Sequence, residues 1–237
     1  MIDWKGKIPA IAFLALSSCS SGPSEVNGNL GNGTFSYTCV STEDPACATG
    51  DGDIFTNTPS TTAAVFPTTV ASGGRFKLAY QANNSSAAGN PSIRPVSPAI
   101  LDSSSGLNGE ITAVRAGKDG LVVRSSVDGD VFDFTYITVA PISSVGIIDS
   151  SGGAPPSQIT LSDGDKLTYV ASALGPHGEK LAGAVDYTWT VDNPALLTLG
   201  EGNPTAKIDV TKGTGTGTAH LTVTQGTLTQ TLTIEVQ

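Results

Sequence analysis

The 237-residue chain predicts an all-β protein, with an export leader and a flexible tether ahead of two tandem β-sandwiches. Three observations predict it. Short stretches of alternating apolar and polar residues recur along the second half, the pattern of half-buried strands. Only 14% of residues are charged, while Gly, Ser and Thr abound, leaving too little Lys and Glu for long solvated helices and supplying turns instead. A fainter copy of the same succession of strands and turns occupies the middle of the chain. The reading divides the chain into a leader (1–18), an anchor residue and tether (19–33), and two sandwiches (34–142 and 143–237).

Lys5 and Lys7 precede Ile8–Leu16, a nine-residue apolar run. This matches a secretory core and is far too short to span a bilayer as a helix. The run closes in Leu16-Ser17-Ser18-Cys19, which resembles a bacterial lipobox, although Asp3 and Pro9 depart from the usual leader. The resemblance implies cleavage between Ser18 and Cys19, acylation of Cys19, and membrane attachment through that lipid. Ser20 in place of Asp implies the outer membrane rather than the inner. Each buried methylene contributes about 0.8 kcal/mol, so the several acyl chains that the resemblance implies would hold lastingly where one would not. Ser20–Gly33 is mostly Ser, Gly and Asn, with one Pro and one Glu and few apolar residues, and is expected to form a flexible tether of roughly 20 Å end to end.

With Cys19 in the leader, Cys39 and Cys47 remain as a pair suited to an oxidising compartment. Phe35, Tyr37 and Cys39 alternate along Gly33–Val40, a strand expected to join the first sandwich. A disulfide closing the Cys39–Cys47 loop would contribute about 2.5 kcal/mol by restricting the unfolded chain. A metal or redox pair is the alternative. Seven intervening residues and the lack of a nearby His weigh against it.

The second sandwich is the clearer. Leu167, Tyr169 and Ala171 share a strand face; Val185, Tyr187, Trp189 and Val191 alternate inward. The same parity recurs at Ala206, Ile208 and Val210, and again at Ala219, Leu221 and Val223. A Gln225-Gly226 turn leads to Leu232, Ile234 and Val236, with Thr229, Thr231 and Thr233 facing out. Trp189 is expected to plug the core between two sheets. Three segments carry a resemblance: Leu161-Ser162-Asp163-Gly164-Asp165-Lys166-Leu167, Tyr187-Thr188-Trp189-Thr190-Val191-Asp192-Asn193-Pro194-Ala195, and the Gly213–Ala219 run of alternating Gly and Thr. They resemble the group 2 bacterial immunoglobulin-like domain over about residues 145–237, which implies an immunoglobulin-like sandwich.

Phe66–Phe76 looks like the same opening, Pro95–Ile100 stands where the Asn-Pro corner belongs, and Gly109–Gly117 resembles the family's strand-turn signature. This first copy lacks the Trp. The closing hairpin is expected to fill the gap. If Asp128-Gly129 is a two-residue turn, Val127 faces Asp130, and Leu121 and Val123 share the core face with Phe132, Phe134 and Tyr136. Arg124 then lies opposite Asp133 on the outside. Ile137 and Val139 fall on the wrong parity, so a bulge is expected near Tyr136.

The formal charge is -9, and the segment before Cys19 carries Lys5, Lys7 and Asp3, a net +1, so without it the charge is -10. Such acidity argues against nucleic acid as a partner. The two histidines, His177 in a Gly-Pro turn and His220 on an outward parity, are expected in solvent. No Gly-x-Ser-x-Gly elbow and no His pair at metal-ligand spacing occurs. Asp51 with Asp53, and Asp128 with Asp130 and Asp133, lie on turns that could offer oxygens to calcium, but Asp-Gly pairs are ordinary turn residues and no twelve-residue calcium loop is present. The reading is therefore a non-enzymatic protein with no catalytic residue, metal or cofactor. It would be an envelope module for structure or protein interaction, its partner an envelope protein or a glycan. The alternatives are a carbohydrate- or surface-binding adhesin, which predicts exposed aromatic side chains, and an accessory domain of an envelope hydrolase system.

Overall fold

The computed structural model describes residues 24–41, 44–47, 62–63, 65–103, 109–149, 153–200 and 205–237. Cys19, the leader and residues 20–23 lie outside these, as do Asp51 and Asp53.

The first sandwich has a five-stranded sheet in the order β1 (Glu25–Asn27), β2 (Gly33–Thr38), β4 (Arg75–Ala82), β7 (Ile111–Ala113), β6 (Leu101–Asp102). Facing it is a four-stranded sheet: β3 (Thr69–Ala71), β9 (Val131–Ala140), β8 (Gly117–Arg124), β5 (Ser92–Pro95). A single-turn helix, α1 (Ser85–Ala88), joins β4 to β5, with the Asn84 side chain accepting from the Ser86 and Ala87 amides. The second sandwich pairs β10 (Ser144–Ile148), β12 (Lys166–Leu174), β15 (Lys207–Lys212) and β14 (Leu197–Leu199). Its other sheet runs β11 (Ile159–Leu161), β17 (Leu228–Val236), β16 (Gly217–Gln225), β13 (Thr188–Val191).

Apart from β1, the two sheet orders are the same. In each copy the opening strand divides. Its first part pairs antiparallel on one sheet, and its second crosses to lie parallel to the last strand, β3 on β9 and β11 on β17. Pro67 precedes β3, and Pro155-Pro156 stand between β10 and β11. Proline offers no N–H to a ladder, which favours leaving one sheet for the other. This is an immunoglobulin-like strand order, repeated.

The repeat reaches the backbone angles. Gly73 and Gly164, each in the turn before the second strand, have φ of 84° and 83°; Gly117 and Gly217, each opening the penultimate strand, have φ of 154° and 134°. The first corner turns over Ser97, with Ile100 and Leu101 amides donating to its carbonyl, as Leu196 and Leu197 donate to Asn193.

In the second core the expected alternation holds. Trp189 is 1% exposed, and its indole N–H donates to the Thr205 carbonyl at 3.0 Å. Tyr169, Ile208, Val210, Leu221 and Ile234 surround it in one cluster. The first core is plugged differently from expectation. Phe35 and Tyr37 of β2 and Phe76 of β4 are fully buried, with Tyr37 and Phe76 stacked at 5.6 Å. The fully buried aromatics come from the opposite sheet; of the closing hairpin's three, Phe132 packs against the core, edge to face with Tyr80 at 6.3 Å, while Phe134 and Tyr136 do not.

Candidate interaction surface

The closing hairpin sits one step away from the expected register. Val123 pairs with Asp133, Leu121 with Thr135 and Gly120 with Tyr136, while Arg124 pairs with Val131. The irregularity lies beside Phe132, not near Tyr136. The connection at Asp128-Gly129 is longer than two residues, with the Ser125 amide donating to Asp130 and the Gly129 amide to Ser125. Because strand parity has period two, a one-residue slip turns every side chain over. Asp133, Thr135, Ile137 and Val139 go inward, which puts Ile137 and Val139 in the core with no further bulge. Arg124 does not meet Asp133; its guanidinium donates to the Gly129 carbonyl at 3.1 Å.

Asp133 makes this register affordable. It is fully buried, and its carboxylate accepts from the Leu30 amide (2.9 Å), the Asn32 amide (3.0 Å) and the Tyr80 hydroxyl (3.0 Å). A buried carboxylate is tolerated when donors surround it. Those donors come from residues expected to be tether. Residues 25–33 instead form a hairpin, with β1 paired to β2, the Asn29 amide on the Phe134 carbonyl, and Gly28 so close to Asp133 that a Cβ there would run into the carboxylate. Burial and the bond to Asp133 push the Tyr80 phenol far above its ordinary range.

The slip puts Phe134 and Tyr136 on the outer face. Their rings meet edge to face at 5.6 Å, and Tyr136 is 47% exposed. Val122 lies opposite Phe134, and Gly120 lies opposite Tyr136. The Lys118 ammonium rests 4.6 Å from the Tyr136 ring centre. Val96, 64% exposed, closes the far side: a Cβ on Gly120 would sit 3.2 Å from Val96 Cγ2 and 3.7 Å from Tyr136 Cε1. Arg94 pairs across from Val122 on β5. Among the described residues, Arg94, Lys118 and Arg124 join no ion pair.

A second site lies where the two sandwiches meet. Only Pro141–Ser143 separate β9 from β10. Main-chain bonds cross the junction: Ala71 N–H to Ala182 C=O (2.8 Å), Arg75 N–H to Ala184 C=O (2.9 Å), and Ala184 N–H to Arg75 C=O (2.8 Å). Gly183 has φ +100°, and a Cβ on it would lie 3.3 Å from Gly74 Cα, so both its conformation and its space require glycine.

The latch is Asp44. Cys39 and Cys47 form the expected disulfide, Cα–Cα 5.7 Å, and the loop they close folds Asp44 inward until it is fully buried. Its carboxylate accepts from the Tyr37 hydroxyl (2.6 Å), the Ala46 amide (3.0 Å) and, across the junction, the Gly183 amide (3.0 Å). Burial is the main influence on Asp44 and pushes its carboxyl above the ordinary carboxylate range, opposed by those donors. The Tyr37 hydroxyl is likewise pushed well up, by burial first and then by Asp44.

The remaining candidates are not brought together. His177 is exposed on its turn. His220 is exposed too, with its amide and its ring nitrogen on the Asp192 carboxylate at 2.8 and 2.6 Å. The His220 amide, then its ring, hold Asp192 below the usual carboxylate range. Asp128 accepts the Asp130 amide within its turn, while Asp133 points to the core, so the acidic group splits. Among the described residues, no three His, Cys, Asp or Glu side chains are placed to hold a metal ion, and no helix is long and apolar enough to cross a membrane.

Sequence reasoning missed Asp44 and put Asp133 on the outside, because the Gly183 amide that Asp44 meets and the Leu30 and Asn32 amides that Asp133 meets are remote in the chain. A signal for the first hairpin was present: Asn29-Leu30-Gly31-Asn32-Gly33 between Val26 and Phe35 reads as strand, turn, strand.

No protein-family model and no curated protein matches the chain, so the group 2 resemblance rests on the motifs alone. Solved structures do match. Domains 4 and 5 of the S-layer protein SbsC are 14% identical, covering 72% of this chain and 94% of that one, with a TM-score of 0.36. A longer SbsC structure, residues 31–844, is also 14% identical at a TM-score of 0.33, and the match spans 75% of this chain but only 24% of that one. The Yersinia pseudotuberculosis adhesin InvE is 14% identical over 72% of this chain and 57% of that one, TM-score 0.33. At these values the likeness does not extend to function.

Proposed function

We propose that the chain is a non-enzymatic lipoprotein of the cell envelope, acylated on Cys19, held at the outer membrane, and built to present an interaction surface at a fixed distance from its anchor. Both sandwiches are assigned to the group 2 bacterial immunoglobulin-like type. The observation that carries the reading is the junction. Three main-chain hydrogen bonds and the buried Asp44–Gly183 bond tie one sandwich to the other, which suits a stiff display rod better than two loosely linked beads. The lipobox-like Leu16–Cys19 supplies the anchor, and the hairpin takes residues 25–33 out of the expected tether. Replacing Cys19→Ala should move the chain from the membrane fraction to the soluble fraction of cells. Continued membrane attachment of that variant would refute the anchor. In-cell cross-linking that recovers no envelope neighbour would reduce the module to a spacer.

A further inference from the structure

We propose that the outer face of β5, β8 and β9 binds an anionic polysaccharide of the uronic-acid class. This goes beyond the display reading and does not depend on the anchor. Large aromatic side chains at a water-facing sheet position gain little from folding, yet Phe134 and Tyr136 stand there side by side. Opposite Tyr136 the strand carries no side chain at all, because the residue is Gly120. Val96 and Tyr136 therefore close over the bare Gly120 backbone and leave a flat apolar face with an exposed ring. A sugar ring has an apolar C–H face and a hydroxyl edge, and it can lie with that apolar face on an outward-facing aromatic pair while its edge meets flanking cations.

The charge is specific to this face. The chain carries 21 Asp and Glu against 12 Lys and Arg, yet no carboxylate occupies an outward position of β5, β8 or β9, while Arg94, Lys118 and Arg124 all do. Lys118 and Arg124 are six residues apart on one strand, so the cations span about 20 Å. That length is matched by an extended polyanion and not by a single small anion. β8 and β9 have a neighbour on each side within the sheet, so their main-chain groups are already paired. An acidic peptide adding as a strand would pair beside the edge strand β5, two strands away from Tyr136; a glycan lying flat on the face reaches the aromatic pair and the cations together.

The test is affinity electrophoresis of the full chain through gels containing polygalacturonate, dextran or poly-glutamate. Polygalacturonate should retard the chain, and the retardation should weaken as salt rises. Dextran and poly-glutamate should not retard it. Tyr136→Ala and the double variant Arg94→Gln/Lys118→Gln should each weaken binding by about tenfold. Lys77→Gln, on the opposite sheet, should leave it unchanged. Amide-shift mapping of the unaltered chain keeps the proposal open to refutation even if a variant fails to fold: added oligogalacturonate should move Gly120, Val122 and Tyr136. No retardation by polygalacturonate, equal retardation by poly-glutamate, full binding by folded Tyr136→Ala, or shifts confined to other surfaces would each overturn it.

Discussion

Replacing Asp44→Ala removes the acceptor shared by three donors, the Tyr37 hydroxyl and the Ala46 and Gly183 amides. The hydroxyl can rotate to another partner, but the two amides are fixed by the main chain. Leaving a buried donor without an acceptor costs about 1–3 kcal/mol each, so the substitution should cost about 3–5 kcal/mol. Tyr37→Phe removes only one donor and leaves both amide bonds in place, so it should cost about 1–1.5 kcal/mol. Urea unfolding of the two variants beside the parent chain measures both. Because the Gly183 bond crosses the junction, Asp44→Ala should also split unfolding into two transitions, whereas Tyr37→Phe should not. An Asp44→Ala cost no larger than that of Tyr37→Phe, with a single transition kept, would refute the latch.

Further outcomes follow from the same geometry. Burial raises Asp44, so the folded chain holds this proton more tightly than the unfolded chain. Its contribution to stability is therefore fully present below the ordinary carboxylate range and is lost as pH rises through the raised folded value. Asp44→Asn cannot titrate, so the stability of the parent chain relative to it should grow as pH falls from neutral toward the carboxylate range; a flat difference in melting temperature would contradict this. Gly183→Ala should destabilise by about 1–3 kcal/mol, since it forces a side chain into a positive φ against Gly74, as thermal unfolding can measure. Asp133→Ala should leave the Leu30 and Asn32 amides without their acceptor and speed amide exchange at residues 28–33 well before the core is affected. Unchanged protection there would show that the hairpin holds itself.

The second sandwich was legible because most of its strands keep their large apolar groups on one parity, although β12 buries Val170 and Ser172 as well as Tyr169 and Ala171. Trp189, Ile208, Leu221 and Ile234 can face only one way without exposing a large apolar group or burying threonine. β9 offered two parities of comparable weight. Phe132, Phe134 and Tyr136 form one set; Asp133, Thr135, Ile137 and Val139 form the other, and aromatic bulk favours the first. From Asp133 onward the second prevails, while Phe132, beside the irregularity, still packs against the core; Asp133 finds donors about a hundred residues earlier in the chain, a non-local term that no local pattern carries. The supposed tether was misjudged for the same reason, since its polar residues bond to β9 rather than to water. The outer aromatic face was therefore hidden by the register, and Asp44 by the plain look of its loop. By contrast, the Cys39–Cys47 bridge needed only spacing and compartment to be read.

Nitrogen-15 relaxation of the full chain tests the coupling of the two sandwiches most directly. Amides of β4, β8 and β9 and those of β12, β16 and β17 should fit one shared anisotropic tumbling tensor, with Gly183 and Ala184 as ordered as the strands. Two separate correlation times, or fast internal motion at Gly183, would show that the sandwiches move as independent bodies and that the stiff rod does not exist.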